Sequence, residues 1–183
     1  VFRCVETIRH GICALHVEQP TSMTMTFDYP AAIREGAYWA SIISDRLKLR
    51  GVQCWTPEPP KDRTQEWITR HEKDICLPWT DKPLEVKART HICDDKGQLI
   101  YDPLFVDTKY GYDMKTVKPL AYVMVCKKTA NIWCLSPRAT FDKWDVDGTF
   151  DTKRKIDITV YTAAANLFVP YTDLVDFLIS KQQ

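Results

Sequence analysis

The apolar residues of the segment 30–50 recur at steps of three and four, which places them on one face of an α-helix. These residues are Ile33, Ala37, Ala40, Ile43 and Leu47. Pro30 suits the first helical position, and Gly51, which follows the basic residues Lys48 and Arg50, suits the position after the last turn. The pattern therefore predicts a helix over residues 30–50.

Two pairs of strand-like segments follow. Residues 74–77 and 84–90 are rich in apolar residues, and the six residues 78–83 between them contain two prolines, which favours the turn of a hairpin. Residues 121–126 and 131–135 are rich in β-formers and predict a second hairpin.

Weaker patterns predict the remaining elements. They are two short strands within residues 1–29, a strand over 52–55, a helix over 64–72, turns at 94–97 and 145–148, a strand over 156–161 and a helix over 172–180. This order of helices and strands indicates a layered α/β or α+β protein. No linker-like segment divides the chain, so we expect a single domain over residues 1–183.

The composition fits such a domain but does not indicate a partner. With 45% hydrophobic residues in 183, the chain can bury a core of ordinary size. The formal net charge is +1, and this near-neutral total neither argues for nor excludes a local basic surface for nucleic acid.

The cysteines and the apolar runs bear on location. The seven cysteines are scattered singly, without a CxxC pair or zinc-site spacing, so we interpret them as buried reduced thiols. No run approaches the roughly 18–20 apolar residues of a membrane span, and the first residues lack the pattern of an export signal. We expect a cytoplasmic protein without membrane contact.

The candidate chemistry lies in the first predicted hairpin. Glu85 and Lys87 point to the same face of a strand, because side chains alternate. If Asp74 lies on the neighbouring strand, its carboxylate comes beside Glu85. Asp81 is the alternative acid, but it lies in the predicted turn only four residues before Glu85.

Two carboxylates and an ammonium at one point suit phosphodiester hydrolysis. Carboxylate oxygens, with water, make a site for Mg²⁺, with Mn²⁺ as a substitute. The metal offsets the charge that develops on the phosphate and helps to form hydroxide. Lys87 can orient or deprotonate the water, or stabilise the phosphate in the transition state.

The pattern D-x(10)-E-x-K, preceded by a helix that carries an acid, resembles the PD-(D/E)xK superfamily of restriction endonucleases, resolvases and phage nucleases. Lys73 stands where the motif often has proline. The resemblance implies a restriction-endonuclease-like αβββαβ core over residues 30–135, with a mixed sheet flanked by helices. Residues 1–29 would then be an N-terminal extension, and residues 136–183 would supply a C-terminal strand and helix.

The same resemblance implies roles for four residues. Asp74 and Glu85 match the metal ligands, Lys87 matches the catalytic lysine, and Glu35 on the first helix matches an acid that joins the metal shell. The implied activity is that of a Mg²⁺-dependent endonuclease acting on DNA. Because cutting both strands needs two sites, we expect a homodimer or a larger homo-oligomer.

Three further residues are candidates for DNA contact. Arg89 shares the face of Lys87, and Lys109 and Tyr110 could bind the DNA backbone, although a surface arginine and a solvated loop are the simpler interpretations. An alternative for the whole site is an ion pair on a strand face. The protein would then be a non-catalytic phage or viral structural protein, or a DNA-binding protein with a decayed site.

Overall fold

The computed structural model describes residues 29–58, 73–152 and 154–182. The helices are α1 (Tyr29–Leu49), α2 (Lys109–Asp113), α3 (Pro137–Thr140) and α4 (Tyr171–Ser180). The strands are β1 (Ile75–Leu77), β2 (Thr80–Arg89), β3 (Leu104–Thr108), β4 (Ala121–Cys126), β5 (Ile132–Leu135), β6 (Asp145–Asp151), β7 (Ile156–Ala163) and β8 (Val169–Pro170).

The strands form two sheets. The larger has five strands in the order β1-β2-β4-β5-β8, and the smaller has three in the order β3-β7-β6. The larger sheet is mixed, because β2 and β4 run parallel while the other neighbouring pairs of strands in it are antiparallel. The predicted α/β class with a mixed sheet and helices is therefore confirmed.

Each face of the five-stranded sheet covers a separate core. Val86 of β2 and Val123 of β4 pack with Ile43 and Leu47 of α1, in a cluster that also contains α4. The alternate side chains of β4, including Tyr122, point the other way and join residues of β3 and β7 in a second cluster. Glu85 and Lys87 alternate with Val86, so they point toward the three-stranded sheet.

Several predicted elements are confirmed. The helix predicted over 30–50 is α1, and Gly51 follows it with a φ of 88°. The second hairpin is β4 and β5, the strand predicted over 156–161 lies in β7, and the C-terminal helix is α4. The turn at 94–97 closes with a hydrogen bond from the Gly97 N–H to the Asp94 carbonyl.

The first hairpin has a shorter turn than predicted. Only Pro78 and Trp79 form the turn, and β2 begins at Thr80 and runs through Pro83. Pro83 has no N–H to donate to a neighbouring strand. It is tolerated because the β1–β2 register shifts between the Ile75–Leu84 and Leu77–Thr80 pairs, so the regular pattern of hydrogen bonds is interrupted there.

Two other expectations were wrong. The predicted turn at 145–148 is the start of β6, whose residues pair with β7 along their whole length, so strand pairing overrides the local turn preference of Asp and Gly. The strand predicted over 52–55 is absent except for an isolated bridge from Trp55 to Cys76. The strands predicted within 1–29 and the helix over 64–72 fall, apart from Tyr29, outside the described residues.

The described cysteines are all buried and free, which agrees with their interpretation as thiols. They are Cys54, Cys76, Cys93, Cys126 and Cys134. No helix in the described ranges combines the length and the apolar character needed to cross a membrane.

Candidate functional site

The register of the first hairpin brings Asp74 and Glu85 together. Ile75 pairs with Leu84 in the antiparallel β1–β2 ladder, so Asp74 and Glu85 are the next residues facing each other. Asp74 Oδ2 accepts a hydrogen bond from the Val86 N–H at 2.7 Å. Asp74 therefore extends the hairpin by one residue before the start of β1, with Glu85 across from it.

Lys87 lies on the same face of β2 as Glu85, as the alternation of side chains predicts. Its Nζ is 2.9 Å from Glu85 Oε1. The Glu85 side chain is 11% exposed and that of Lys87 is 25% exposed, so this ion pair is mostly buried but still accessible to solvent.

Asp107 is a site residue that the sequence did not predict. It lies near the end of β3, after a register shift between Phe105 and Asp107 that changes the direction of the following side chains. Its Oδ1 is 3.4 Å from Lys87 Nζ, and its Oδ2 accepts a hydrogen bond from the Tyr122 hydroxyl at 2.8 Å. Asp107 is buried and joins the two sheets at the site.

Lys115 is the second unpredicted residue. Its Nζ lies 3.2 Å from Asp107 Oδ2 and 3.5 Å from Glu85 Oε1. We refer to Asp74, Glu85, Lys87, Asp107 and Lys115 as the charge cluster. Three acids and two lysines converge there from four separate parts of the chain.

The short helix α2 positions Lys115. Thr108 caps its N-terminus by accepting a hydrogen bond from the Gly111 N–H at 3.0 Å, and a Cβ on Gly111 would lie 2.6 Å from the Thr108 hydroxyl. Tyr112 packs against the Trp144 ring at a centroid distance of 5.5 Å. Lys118 donates to the carbonyls of the last helical turn, which holds the segment that carries Lys115.

Burial and like charge act together on Asp74. Burial, followed by the negative charge of Glu85, raises the pKa of Asp74 to about 7, although Lys87 and the Val86 N–H act in the opposite direction. Near neutral pH the Asp74 carboxyl group is therefore divided between its protonated and ionised forms.

Lys87 and Asp107 are held in their charged forms by the neighbouring charges of the cluster. Burial favours the neutral amine of Lys87, but Glu85 and Asp107 outweigh it and raise the pKa of Lys87. Burial likewise opposes ionisation of Asp107, but Lys87 and Lys115 outweigh it and lower the pKa of Asp107.

Asp74 and Glu85 are the residues of the cluster that could hold a hard divalent cation. Mg²⁺ is usually held by one or two carboxylates together with water and substrate oxygens. Asp74 and Glu85 could supply such a pair, and a cation between them would offset the part of the rise in the Asp74 pKa that comes from the charge of Glu85. Within the described ranges no group of three or more His, Cys, Asp or Glu side chains is arranged to hold a metal ion.

Glu35 forms its ion pair outside the charge cluster. It is on α1, which packs on the opposite face of the five-stranded sheet, and its carboxylate pairs with Lys127. It also lines a cleft of about 240 Å³ together with Lys87 and Arg89 of β2. The predicted role of Glu35 in a metal shell stays a prediction.

The residues predicted to contact DNA lie in different environments. The Arg89 guanidinium stacks on the Phe105 ring at 4.1 Å from its centroid. Lys109 pairs with Asp113 at the surface, and Tyr110 is exposed. Their predicted DNA contacts stay predictions. Asp81, the alternative acid, is exposed on β2.

Comparison of the chain with protein-family models, with curated proteins and with solved structures finds no match.

Replacing Asp74 by asparagine is expected to change how stability depends on pH. In the wild type the folded state holds a proton on Asp74 up to about pH 7, whereas the unfolded state loses it near pH 3.8. The folded state therefore binds more protons between these values, and its stability falls as the pH rises. The variant lacks this contribution, so its free energy of unfolding relative to the wild type should rise by roughly 2–3 kcal/mol from pH 5 to pH 8.

The measurement is urea unfolding of metal-free protein in EDTA at several pH values. Asp176→Asn, which removes an exposed acid on α4, is the control and should run parallel to the wild type. Parallel curves for Asp74→Asn and the wild type would show that Asp74 titrates alike in the folded and unfolded chains.

Proposed function

We propose that the protein is a metal-dependent endonuclease that hydrolyses phosphodiester bonds of DNA. Asp74 and Glu85 would hold Mg²⁺ or Mn²⁺, and Lys87 would act on the attacking water or the phosphate. The observation that carries the proposal is the placement of Asp74 opposite Glu85, with the Lys87 Nζ 2.9 Å from the Glu85 carboxylate.

Each part of this arrangement has a task in the reaction. The metal would supply positive charge and lower the pKa of a bound water. The Lys87 ammonium has three N–H donors, of which Glu85 and Asp107 accept two. The third remains for a phosphate oxygen or a water, and the partial exposure of Lys87 allows substrate to reach it.

The charge state of Lys87 favours one of its possible roles. Glu85 and Asp107 stabilise the ammonium form and raise the pKa of Lys87. A cationic Lys87 donates hydrogen bonds and stabilises the charge of the pentacovalent phosphate, whereas a general base would need the neutral amine. We therefore assign it a donor role.

The order of elements supports a restriction-endonuclease-like core as part of the proposal. Along the chain, α1, β1, β2, β3, α2 and β4 follow the pattern αβββαβ, and β2, which carries Glu85 and Lys87, runs parallel to β4. The structure differs from a simple version of this core because β3 pairs with β7 in the smaller sheet.

The proposal includes the partners expected of such an enzyme. DNA would be contacted by Arg89, Lys109 and Tyr110, and a homodimer would bring two sites to the two strands of a duplex. Lys109 and Tyr110 begin α2, separated from the buried Asp107 of the cluster only by the capping residue Thr108. This proximity supports a role of that segment beside the substrate.

A second candidate is a non-catalytic protein in which the cluster is structural. Lys87 and Lys115 both bridge Glu85 and Asp107, so these acids already have cationic partners. A buried network of this kind can specify the packing of two sheets without any reaction. Such a protein would bind no divalent metal.

Supercoiled plasmid with Mg²⁺ tests the proposal. We expect the wild type to nick it, EDTA to stop the reaction, and Lys87→Ala to slow it by about two orders of magnitude or more. Lys82→Ala is the matched control, because it removes a lysine from the same strand outside the cluster. Equal nicking by Lys87→Ala and the wild type would place the activity elsewhere. Absence of both nicking and calorimetric metal binding would favour the structural alternative.

A further inference from the structure

A cleft of about 380 Å³ opens beside the charge cluster, between the end of β2 and the start of β3. Its lining includes Arg89, His91, Tyr101 and Phe105, and we refer to it as the Arg89 cleft. Its volume falls within the range of small-molecule sites in proteins.

The Arg89 side chain has no hydrogen-bond or ion-pair partner among the described residues, and its Nε is fully buried. The guanidinium is instead stacked on the Phe105 ring. A partly buried cation without a hydrogen-bonded acidic partner is unfavourable, because its lost hydration is not fully replaced. An anion that reached the guanidinium edge would therefore be stabilised, and phosphate matches its planar set of donors.

Burial also affects the ionisation of this group. It lowers the pKa of Arg89 to about 10, although Asp107 acts in the opposite direction. The guanidinium remains charged at neutral pH, so it is available to an anionic ligand.

The mouth of the Arg89 cleft carries exposed aromatic side chains. Tyr101 is 52% exposed, and His91 is also exposed. Nucleobases stack on exposed aromatic rings without strong sequence preference. A phosphate site and a stacking surface therefore lie in the same cleft.

The cleft is placed to meet a strand that also reaches Lys87. Arg89 follows Lys87 by two residues and points to the same face of β2, roughly 6–7 Å further along the strand. This separation is comparable to that of neighbouring phosphates in a nucleic-acid chain. A strand with one phosphate at Lys87 would thus present the next phosphate near Arg89.

We propose that the Arg89 cleft is a nucleotide-binding subsite, in which Arg89 binds the phosphate and Tyr101 stacks on the base of the nucleotide beside the scissile bond. This inference rests on the proposed nuclease function for the position of the scissile bond, and it assigns the part of the substrate held next to it. A free nucleotide and a nucleotide within a DNA strand both carry the phosphate and the base that the cleft would bind.

Calorimetric titration of the full chain in EDTA tests the subsite without metal. The probes are inorganic phosphate, a deoxynucleoside 5′-monophosphate, the same nucleoside without phosphate, and a short single-stranded oligonucleotide. We expect the monophosphate to bind more tightly than either phosphate or the nucleoside alone. The oligonucleotide should bind more tightly again if the cleft serves a DNA strand, and no tighter than the monophosphate if it serves free nucleotide.

Two variants separate the two halves of the subsite. Tyr101→Ala should weaken monophosphate binding about tenfold and leave phosphate binding unchanged, since stacking alone is lost. Arg89→Gln should weaken both at least tenfold. Phe150→Ala is the matched control, because Phe150 is an aromatic residue of β6 with the same 52% exposure, and it should bind like the wild type.

The folding of each variant is checked by circular dichroism. If Arg89→Gln does not fold, Arg89→Lys keeps the charge but loses the planar donors, and it should still bind the monophosphate more weakly than the wild type. Wild-type affinity in the Arg89 and Tyr101 variants, equal weakening by Phe150→Ala, or no saturable binding of any probe would overturn the inference.

The inference and the proposed function can fail separately. Metal-dependent cleavage with nucleotide affinity unaffected by Arg89→Gln and Tyr101→Ala would overturn the subsite alone. Nucleotide binding that both variants weaken, in a protein that cuts no DNA with Mg²⁺ or Mn²⁺, would overturn the nuclease proposal alone.

Discussion

Replacing Glu85 by glutamine should strongly slow the proposed metal-dependent cleavage of DNA in a protein that still folds. The substitution keeps the size of the side chain but removes the negative charge that a divalent cation would require. Asp107 still contacts both Lys87 and Lys115, so the two ammonium groups are not left without an acidic partner. We expect the cleavage rate to fall by about two to three orders of magnitude or more.

The rate of plasmid nicking at saturating Mg²⁺ measures this effect, with thermal unfolding as the check on folding. Asp81→Asn makes the same chemical change at an exposed position of β2, and it should cut like the wild type. Loss of activity in Asp81→Asn, with activity retained in Glu85→Gln, would indicate that Asp81 and not Glu85 is the metal ligand.

The local part of the candidate site could be predicted from the sequence because it depends on strand geometry alone. A period of two puts Glu85 and Lys87 on one face, and a hairpin puts Asp74 opposite Glu85. The error in the turn length did not affect this outcome, because the register near Asp74 is set by the pairing of Ile75 with Leu84. The roles assigned to these residues remain predictions.

The long-range part of the site could not be predicted in the same way. Asp107 is twenty residues from Lys87 in the chain, and its contact depends on the packing of the second sheet against the first. The register shift in β3 that orients Asp107 has no clear signature in the sequence. The one available signal was an acid directly after the apolar residues Leu104, Phe105 and Val106, which is unusual for a buried position.

The fold shows the same division between local and long-range information. The periodicity of α1 is long and regular, and the helix was predicted to within one residue at each end. The seven residues of β6 include three aspartates and a glycine, and these residue types favour a turn when taken alone. Its pairing with β7 comes from a partner strand that a local pattern does not contain.

The two lysines of the cluster explain how three acids are accommodated around one point. Lys87 and Lys115 approach Glu85 and Asp107 from different elements, so each carboxylate is shared between two cations. Asp74 contacts a backbone N–H instead and has the raised pKa. Asp107 is therefore the acid that contributes most to the stability of the cluster, and Asp74 and Glu85 are the acids of the proposed metal site.

Asp107→Asn should therefore have the largest effect on stability. Asp107 is 6% exposed, forms ion pairs with Lys87 and Lys115, and accepts a hydrogen bond from the Tyr122 hydroxyl. Removal of one partner from a buried charge network costs about 3–5 kcal/mol, because the remaining charges stay desolvated. Glu85 continues to contact both lysines, so we expect about 3 kcal/mol, at the lower end of this range.

Urea unfolding at pH 7 measures this loss, and its pH dependence identifies the cause. The pKa of Asp107 is lowered in the folded state, so its stabilising contribution is complete above the pKa of an unfolded aspartate and disappears as the pH falls through the folded value. The difference between wild type and Asp107→Asn should thus shrink in acid. Asp157→Asn, at an exposed position of β7, should change stability by less than about 0.5 kcal/mol. A loss of similar size for both variants would contradict the prediction that the buried charge network is the cause. A loss in Asp107→Asn that does not diminish in acid would mean that Asp107 contributes through its shape and not through its charge.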